Sequence, residues 1–277
     1  MKFAICQELF EGWDWKRQCE YAAKVGYTGL ELAPFTVAER VEQISPAKRA
    51  ELRKIASGSG VEIIGLHWLL AKTTGLHLTT FDAEVRKNTA AYLRELAKAC
   101  GDLGGSILVF GSPAQRSLER GMSLDQAYSH ATEVFKAAMP AFADANVKLC
   151  VEPLTPLETD FLNTCADGVK LIEMVDHPNI VLHQDVKAML SEPTPIPELI
   201  HKFHDITGHF HVNDSNLLGP GMGETDYHPI LRALIDSDYS GWVSVEVFDY
   251  RPGAEVIAES SLSYMRQVLA DLETAGA

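Results

Sequence analysis

The sequence lacks any run of Lys and Arg with interleaved aromatics, and 24 Lys+Arg stand against 38 Asp+Glu for a net charge of −14. So acidic a chain repels phosphate backbones, and no nucleic-acid partner is expected. Long apolar runs are missing as well: no segment stays apolar for the ~18 residues that cross a bilayer, and Met1 to Glu8 is too short for a signal peptide. Membrane insertion and export are therefore not expected. Cysteine is sparse, with Cys6, Cys19, Cys100, Cys150 and Cys165 an odd number without a CxxC pair. That pattern argues against a zinc knuckle or a disulfide framework and fits reduced thiols in a cytoplasm. No GxGxxG follows the first strand-like segment and no GK[ST] follows a glycine-rich loop, so the dinucleotide and phosphate-loop signatures are absent too.

What remains is the composition of a globular enzyme, 277 residues with 46% hydrophobic and 22% charged. Such a length suits two ordinary domains or one α/β barrel, whose usual size is about 250 residues. Strand-length apolar runs alternate with helical patterns throughout. The runs are Lys2 to Glu8, Thr28 to Ala33, Val61 to Trp68, Ser106 to Gly111, Lys148 to Leu154, Ile180 to Val186, Gly208 to Asn213 and Trp242 to Phe248. Helical patterns follow from Asp14 to Gly26, Pro46 to Ser59, Ala83 to Leu103, Leu124 to Asn146, Thr164 to Val175, Ile196 to Phe203, Tyr227 to Ile235 and Ala254 to Leu272. Eight β then α units, undivided by any long linker, predict an α/β protein, a single (β/α)8 TIM barrel over residues 1–277. An open doubly wound sheet would use the same alternation and is the competing arrangement.

In such a barrel the reactive groups stand where the strands end at their C-termini. The fifth run ends with Glu152, the sixth with Asp185, the seventh with His211 and the eighth with Glu246. Any one of these alone reads as a salt-bridge partner or a solvated strand end. Four at one level on adjacent strands point to a metal site, because three carboxylates in one apolar mouth repel one another until a dication removes the conflict. Carboxylate oxygens with one imidazole suit Mn²⁺, Mg²⁺ or Co²⁺. Two positions earlier on the same strands lie Cys150, His183, His209 and Ser244, either outer partners that orient the ligands or hydrogen-bonded core residues.

The segments VEPL with Glu152, HQDVKAM with Asp185, FHVNDSNLLGPGMGETDY with His211 and VSVEVF with Glu246 together make the chain similar to the xylose isomerase-like barrel superfamily. Within it, the chain resembles the sugar isomerases and epimerases that include the ketose 3-epimerases. The resemblance implies one divalent ion, usually Mn²⁺, on the four matching positions. It also implies that Glu152 and Glu246 exchange protons on opposite faces of a sugar carbon, through an enediolate that the cation stabilises. Glu158 matches a position that contacts substrate oxygens. Two departures stand out: Ala188 replaces the substrate-gripping His of the DxxHM pattern, and Leu217 replaces an Arg after the His ligand. Barrels of this kind are often dimers or tetramers, so a homodimer or homotetramer is expected.

Further substrate contacts are read from position. Lys187, two residues past Asp185, and His67 at the end of the third strand, followed by Trp68, are candidates. Arg116, after the fourth strand, is a candidate contact for a substrate carboxylate or phosphate. Gly219, Gly221 and Gly223 form either a lid or a plain turn. A sugar isomerase or epimerase heads the functions. A metal-dependent lyase or dehydratase on a keto-sugar or inosose is the alternative. An endonuclease IV-like phosphodiesterase is disfavoured by the charge, and a non-catalytic sugar-binding subunit is the remaining reading.

Overall fold

The computed structural model describes residues 1–275. Strands β1 (Lys2–Cys6), β2 (Gly29–Leu32), β3 (Glu62–Leu66), β4 (Ile107–Phe110), β5 (Lys148–Val151), β6 (Ile180–Asp185), β7 (Thr207–Val212) and β8 (Trp242–Val245) run parallel in chain order. Pairing of β1 with β8, Lys2 opposite Trp242 and Ile5 opposite Val245, closes the ring. That closure confirms the barrel and excludes the open sheet. The outer layer is α1 (Trp15–Val25), α2 (Pro46–Gly58), α3 (Ala83–Leu103), α4 (Leu124–Asp144), α5 (Cys165–Val175), α6 (Val186–Met189), α7 (Ile196–Phe203), α8 (Tyr227–Asp236) and α9 (Ala254–Ala275).

Local chemistry sets the helix ends. Asp14 accepts from the Arg17 backbone N–H at 3.0 Å to start α1, and Gly26, at φ +109°, stops it. Ser123 and Gln126 form a capping box on α4, and Thr164 and Asp167 form another on α5. The four-residue α6 is too short to show a helical period in sequence, and it follows β6 directly. Most strands are shorter than their apolar runs because the chain turns away once the ladder ends. Glu152 and Glu246 consequently stand one residue beyond β5 and β8. Their backbone N–H groups still donate to Phe110 and Val212 carbonyls, each at 3.2 Å, so both remain anchored to the neighbouring strand.

Alternation along the strands separates two cores. One set, including Ile5, Leu30, Phe110, Val151, Leu182 and Phe210, packs outward under the helices. The other, Ala4, Ile64, Ile107, Val109, Cys150, Val181 and Trp242, fills the inside of the ring. Above this apolar plug the interior turns polar, with Glu31, His183, His209, His211 and Ser244 all buried. All five cysteines are buried and unpaired. Among the described residues no helix is long and apolar enough to cross a membrane.

Gly29 shows how tightly the plug fits. A Cβ there would lie 2.6 Å from Ile64 Cγ2 and 2.8 Å from Trp242 Cζ3, so the glycine leaves space for the indole. Gly29→Ala is expected to cost about 1–3 kcal/mol by overpacking. Gly58→Ala, with nothing within 4 Å, serves as the neutral control. Urea unfolding followed by tryptophan fluorescence measures both, and equal midpoints would show that the plug is loose.

Candidate active site

The strand ends of the second half converge. Ligating atoms of Glu152, His183, Asp185 and His211 all lie within 4.8 Å of one another, and all four residues are buried. Glu246 joins them through Oε2, 3.1 Å from His211 Nδ1. The four residues read from the strand ends are thus brought together. Glu152 reaches this point only because residue 111 is glycine: a Cβ there would sit 2.2 Å from Glu152 Oε2.

Each group is held in place. Glu246 Oε1 accepts from the Trp68 indole N–H at 3.1 Å and lies 3.2 Å from His67 Nδ1. Asp185 caps α6 by accepting from the Ala188 N–H at 2.8 Å, and also accepts from Asn213 Nδ2 at 2.6 Å. His211 Nε2 lies 3.0 Å from Glu31 Oε1, the same oxygen that meets His209 Nε2 at 2.6 Å. His67 Nε2 comes within 2.8 Å of Glu8 Oε2, but out of line for a hydrogen bond. Sequence reasoning missed Glu31 and Glu8. The signal for Glu31 was a carboxylate in the middle of an otherwise apolar run, TGLELA, whose β2 residues are all buried.

Burial, and then the charges of Glu246 and Asp185, push Glu152 well above the usual carboxylate range. Asp185 is raised too, chiefly by burial, with Glu246 adding to it. Burial would likewise raise Glu246, but His211 and His67 outweigh it and hold Glu246 below the usual range. For Glu31 burial is outweighed in the same way by His209 and His211, and its pKa is well below normal. His211 is the converse case: burial would lower it, yet Glu31 and Glu246 raise it well above an ordinary histidine. Burial and then the neighbouring His211 and His209 keep His183 well below.

Three carboxylates at one point, two of them pushed toward protonation by burial and mutual repulsion, are what a dication would relieve. Neither nitrogen of buried His183 has a hydrogen-bond partner among the described residues, which leaves a lone pair free at the same place. The oxygen and imidazole donors present fit a divalent first-row ion or Mg²⁺.

His67, Trp68, Glu152, Glu158, Glu246 and Phe248 line one cavity of about 80 Å³. Glu158 and Lys187, both expected as substrate contacts, pair with each other at 2.7 Å (Nζ to Oε1), and the Lys187 ammonium stands 3.9 Å over the Phe248 ring. Arg116 is placed differently from the anion contact expected of it. Ser112, at φ +44°, and the short 3₁₀ turn Pro113–Gln115 carry it inward, where its fully buried guanidinium donates to the carbonyls of Glu152 at 2.6 Å and Leu162 at 3.2 Å. The arginine therefore fixes the backbone that presents Glu152.

Ala188 and Leu217 make no side-chain polar contact. The Leu217 carbonyl, however, accepts from the N–H groups of Phe248 at 2.9 Å and Asp249 at 3.1 Å. The glycine loop after β7 is a pinned turn. Thr225 donates to Asp214 at 2.7 Å, and Gly221, at φ +77°, packs on the Tyr264 ring.

The family model described as xylose isomerase-like TIM barrel matches residues 19–268. D-psicose 3-epimerase of Agrobacterium fabrum is 27% identical over 231 residues, 83% of this chain and 78% of the relative. Hydroxypyruvate isomerase of Escherichia coli is 25% identical over 264 residues, 93% of this chain and 95% of the relative. A crystal structure of D-psicose 3-epimerase in the presence of D-fructose superposes with a TM-score of 0.85 at 24% identity, covering 97% of this chain and 99% of the other. That structural likeness concerns the fold.

The Glu31 network gives a direct test. Glu31→Leu leaves His209 Nε2 and His211 Nε2 facing an apolar group, and breaking a buried pair costs about 3–5 kcal/mol. Chemical denaturation should show this loss, with Glu31→Gln intermediate. A wild-type midpoint for Glu31→Leu would mean that the network carries no stability.

Proposed function

Because the chain belongs to the xylose isomerase-like TIM barrel family, we propose that it is a divalent-metal-dependent sugar isomerase or epimerase, moving a proton at the carbon next to a substrate carbonyl. The observation that carries this reading is that Glu152 and Glu246 line one cavity while Asp185 and His211 stand beside them at ligating distance. In this reading Glu152, Asp185, His211 and Glu246 hold the cation, for which Mn²⁺ suits the carboxylate-rich set and Mg²⁺ or Co²⁺ are acceptable. When bound, the ion supplies Lewis-acid stabilisation of the negative charge that develops on the carbonyl oxygen.

The chain's own residues do the rest. The two glutamates reach the cavity from β5 and β8, with β6 and β7 between them in the ring, so a proton taken by one carboxylate can be replaced by the other from a different direction. Three polar neighbours, His67, Trp68 and His211, fix the Glu246 carboxylate, which reduces the reorganisation its proton transfer requires. Trp68 and Phe248 give the cavity apolar walls against which the carbon face of a sugar packs. The Glu158–Lys187 pair offers an acceptor and donors to hydroxyl groups at the mouth. Ala188 and Leu217 provide neither of the polar grips expected in a ketose 3-epimerase, so the far end of the substrate is held differently here.

The test is ¹H NMR in D₂O with a panel of hydroxy-ketones from three to six carbons, using the chain loaded with Mn²⁺. Isomerisation incorporates solvent deuterium at the exchanging carbon and conserves mass. Elimination, which begins with the same proton abstraction, gives a new double bond and would replace the isomerase reading by a dehydratase. Glu152→Gln and Glu246→Gln are each expected to lower turnover by at least about 10²-fold, the range of general acid–base catalysis. Unchanged turnover in either variant refutes the assignment of that residue. Chelation of the ion should abolish activity and re-addition restore it, and activity that survives exhaustive chelation refutes metal dependence.

A further inference from the structure

We propose that His183 is a second imidazole donor to the cation of this site, an inference that rests on the cation-dependent reading above. On β6 the period of two places His183 and Asp185 on the same inner side of the strand. The β6–β7 register shifts between Leu182 and His183, after which His183 faces His209 and Asp185 faces His211. Such irregularities re-aim side chains, and here the shift precedes the two inward donors.

The histidine is completely buried and, alone among the buried histidines of the barrel interior, has no hydrogen-bond partner on either nitrogen among the described residues. His211 is engaged at both nitrogens, His209 at Nε2 and His67 at Nδ1. An unpaired buried imidazole is costly, and a native site that keeps one requires a reason for it. Its surroundings supply the reason. His183 Nε2 stands 3.8 Å from Glu152 Oε1, too far for a hydrogen bond. Two donors that each lie about 2.0–2.2 Å from a shared ion are themselves separated by roughly 3–4 Å. One ligating group in this mouth, moreover, consists of Glu152, His183, Asp185 and His211, with two nitrogens and two carboxylates whose atoms all lie within 4.8 Å of one another.

A second imidazole changes which ion the site holds best. Carboxylate oxygens suit Mg²⁺ and Mn²⁺, whereas imidazole favours later first-row ions such as Fe²⁺, Co²⁺ and Zn²⁺. The site therefore discriminates more strongly for Co²⁺ over Mn²⁺ than an arrangement with His211 alone would.

The experiment loads the metal-free full chain with Co²⁺ and counts imidazoles by X-ray absorption, alongside calorimetric titrations with Co²⁺ and Mn²⁺. Two imidazoles are expected in the wild type and one in His183→Leu. Co²⁺ affinity should fall at least tenfold in the variant, about the lower bound for losing even an outer partner of a metal ligand, and Mn²⁺ affinity should fall less. His183→Gln, which keeps a polar side chain, serves if the leucine variant fails to fold, and the wild-type count needs no variant. A single imidazole in the wild type, or two retained in the variant, overturns the role of His183 and leaves the cation site standing. Failure of the wild type to bind any of these ions stoichiometrically overturns both.

Discussion

Glu8, Glu31, Glu152, Asp185 and Glu246 are all buried around one end of the barrel interior, and their mutual repulsion is the constraint that the surrounding residues answer. An isolated buried carboxylate is expensive, and each further one of the same sign adds to the cost. Histidines offset part of it: His209 and His211 meet Glu31, and His211 and His67 meet Glu246. Glu152 and Asp185 have no such histidine within hydrogen-bond reach, and they are the two whose pKa values rise. Glu152 and Asp185 thus stand together at the mouth, where an ion and a substrate would arrive.

The rest of the fold makes that concentration tolerable. Trp242, Ile107 and their neighbours pack the inside of the ring below, while Leu30, Phe110, Val151 and Phe210 bind the outside of the ring to its helices. Rigidity below allows polarity above, because groups that are fixed before a reaction starts need not reorganise during it. Arg116 contributes without entering the cavity, tying the carbonyls of Glu152 and Leu162 to one guanidinium.

Much of this was legible in the sequence because the barrel writes its layers as a period of two. Apolar runs identified the strands, and a polar residue that ended a run marked the mouth at Glu152, Asp185, His211 and Glu246. Glu31 was not legible by that rule, since it sits inside its run and answers to partners 178 and 180 positions away. Arg116 lies on the loop its position implies, but its guanidinium turns inward to backbone carbonyls. The direction of a side chain after a strand depends on backbone turns such as the left-handed Ser112, which residue type alone does not announce. His183 showed its place in the register but not its lack of partners, which only the packed interior displays.

Leu217, where the ketose 3-epimerase pattern has an arginine, occupies a left-handed backbone conformation, and its carbonyl ties the segment after β7 to Phe248 and Asp249. Phe248 in turn carries the Lys187 ammonium on its ring. Substitutions in a surface turn can therefore reach the wall of the cavity through the main chain alone. The upholstery of the mouth can thus be altered from the rim while the acids at its floor keep their places.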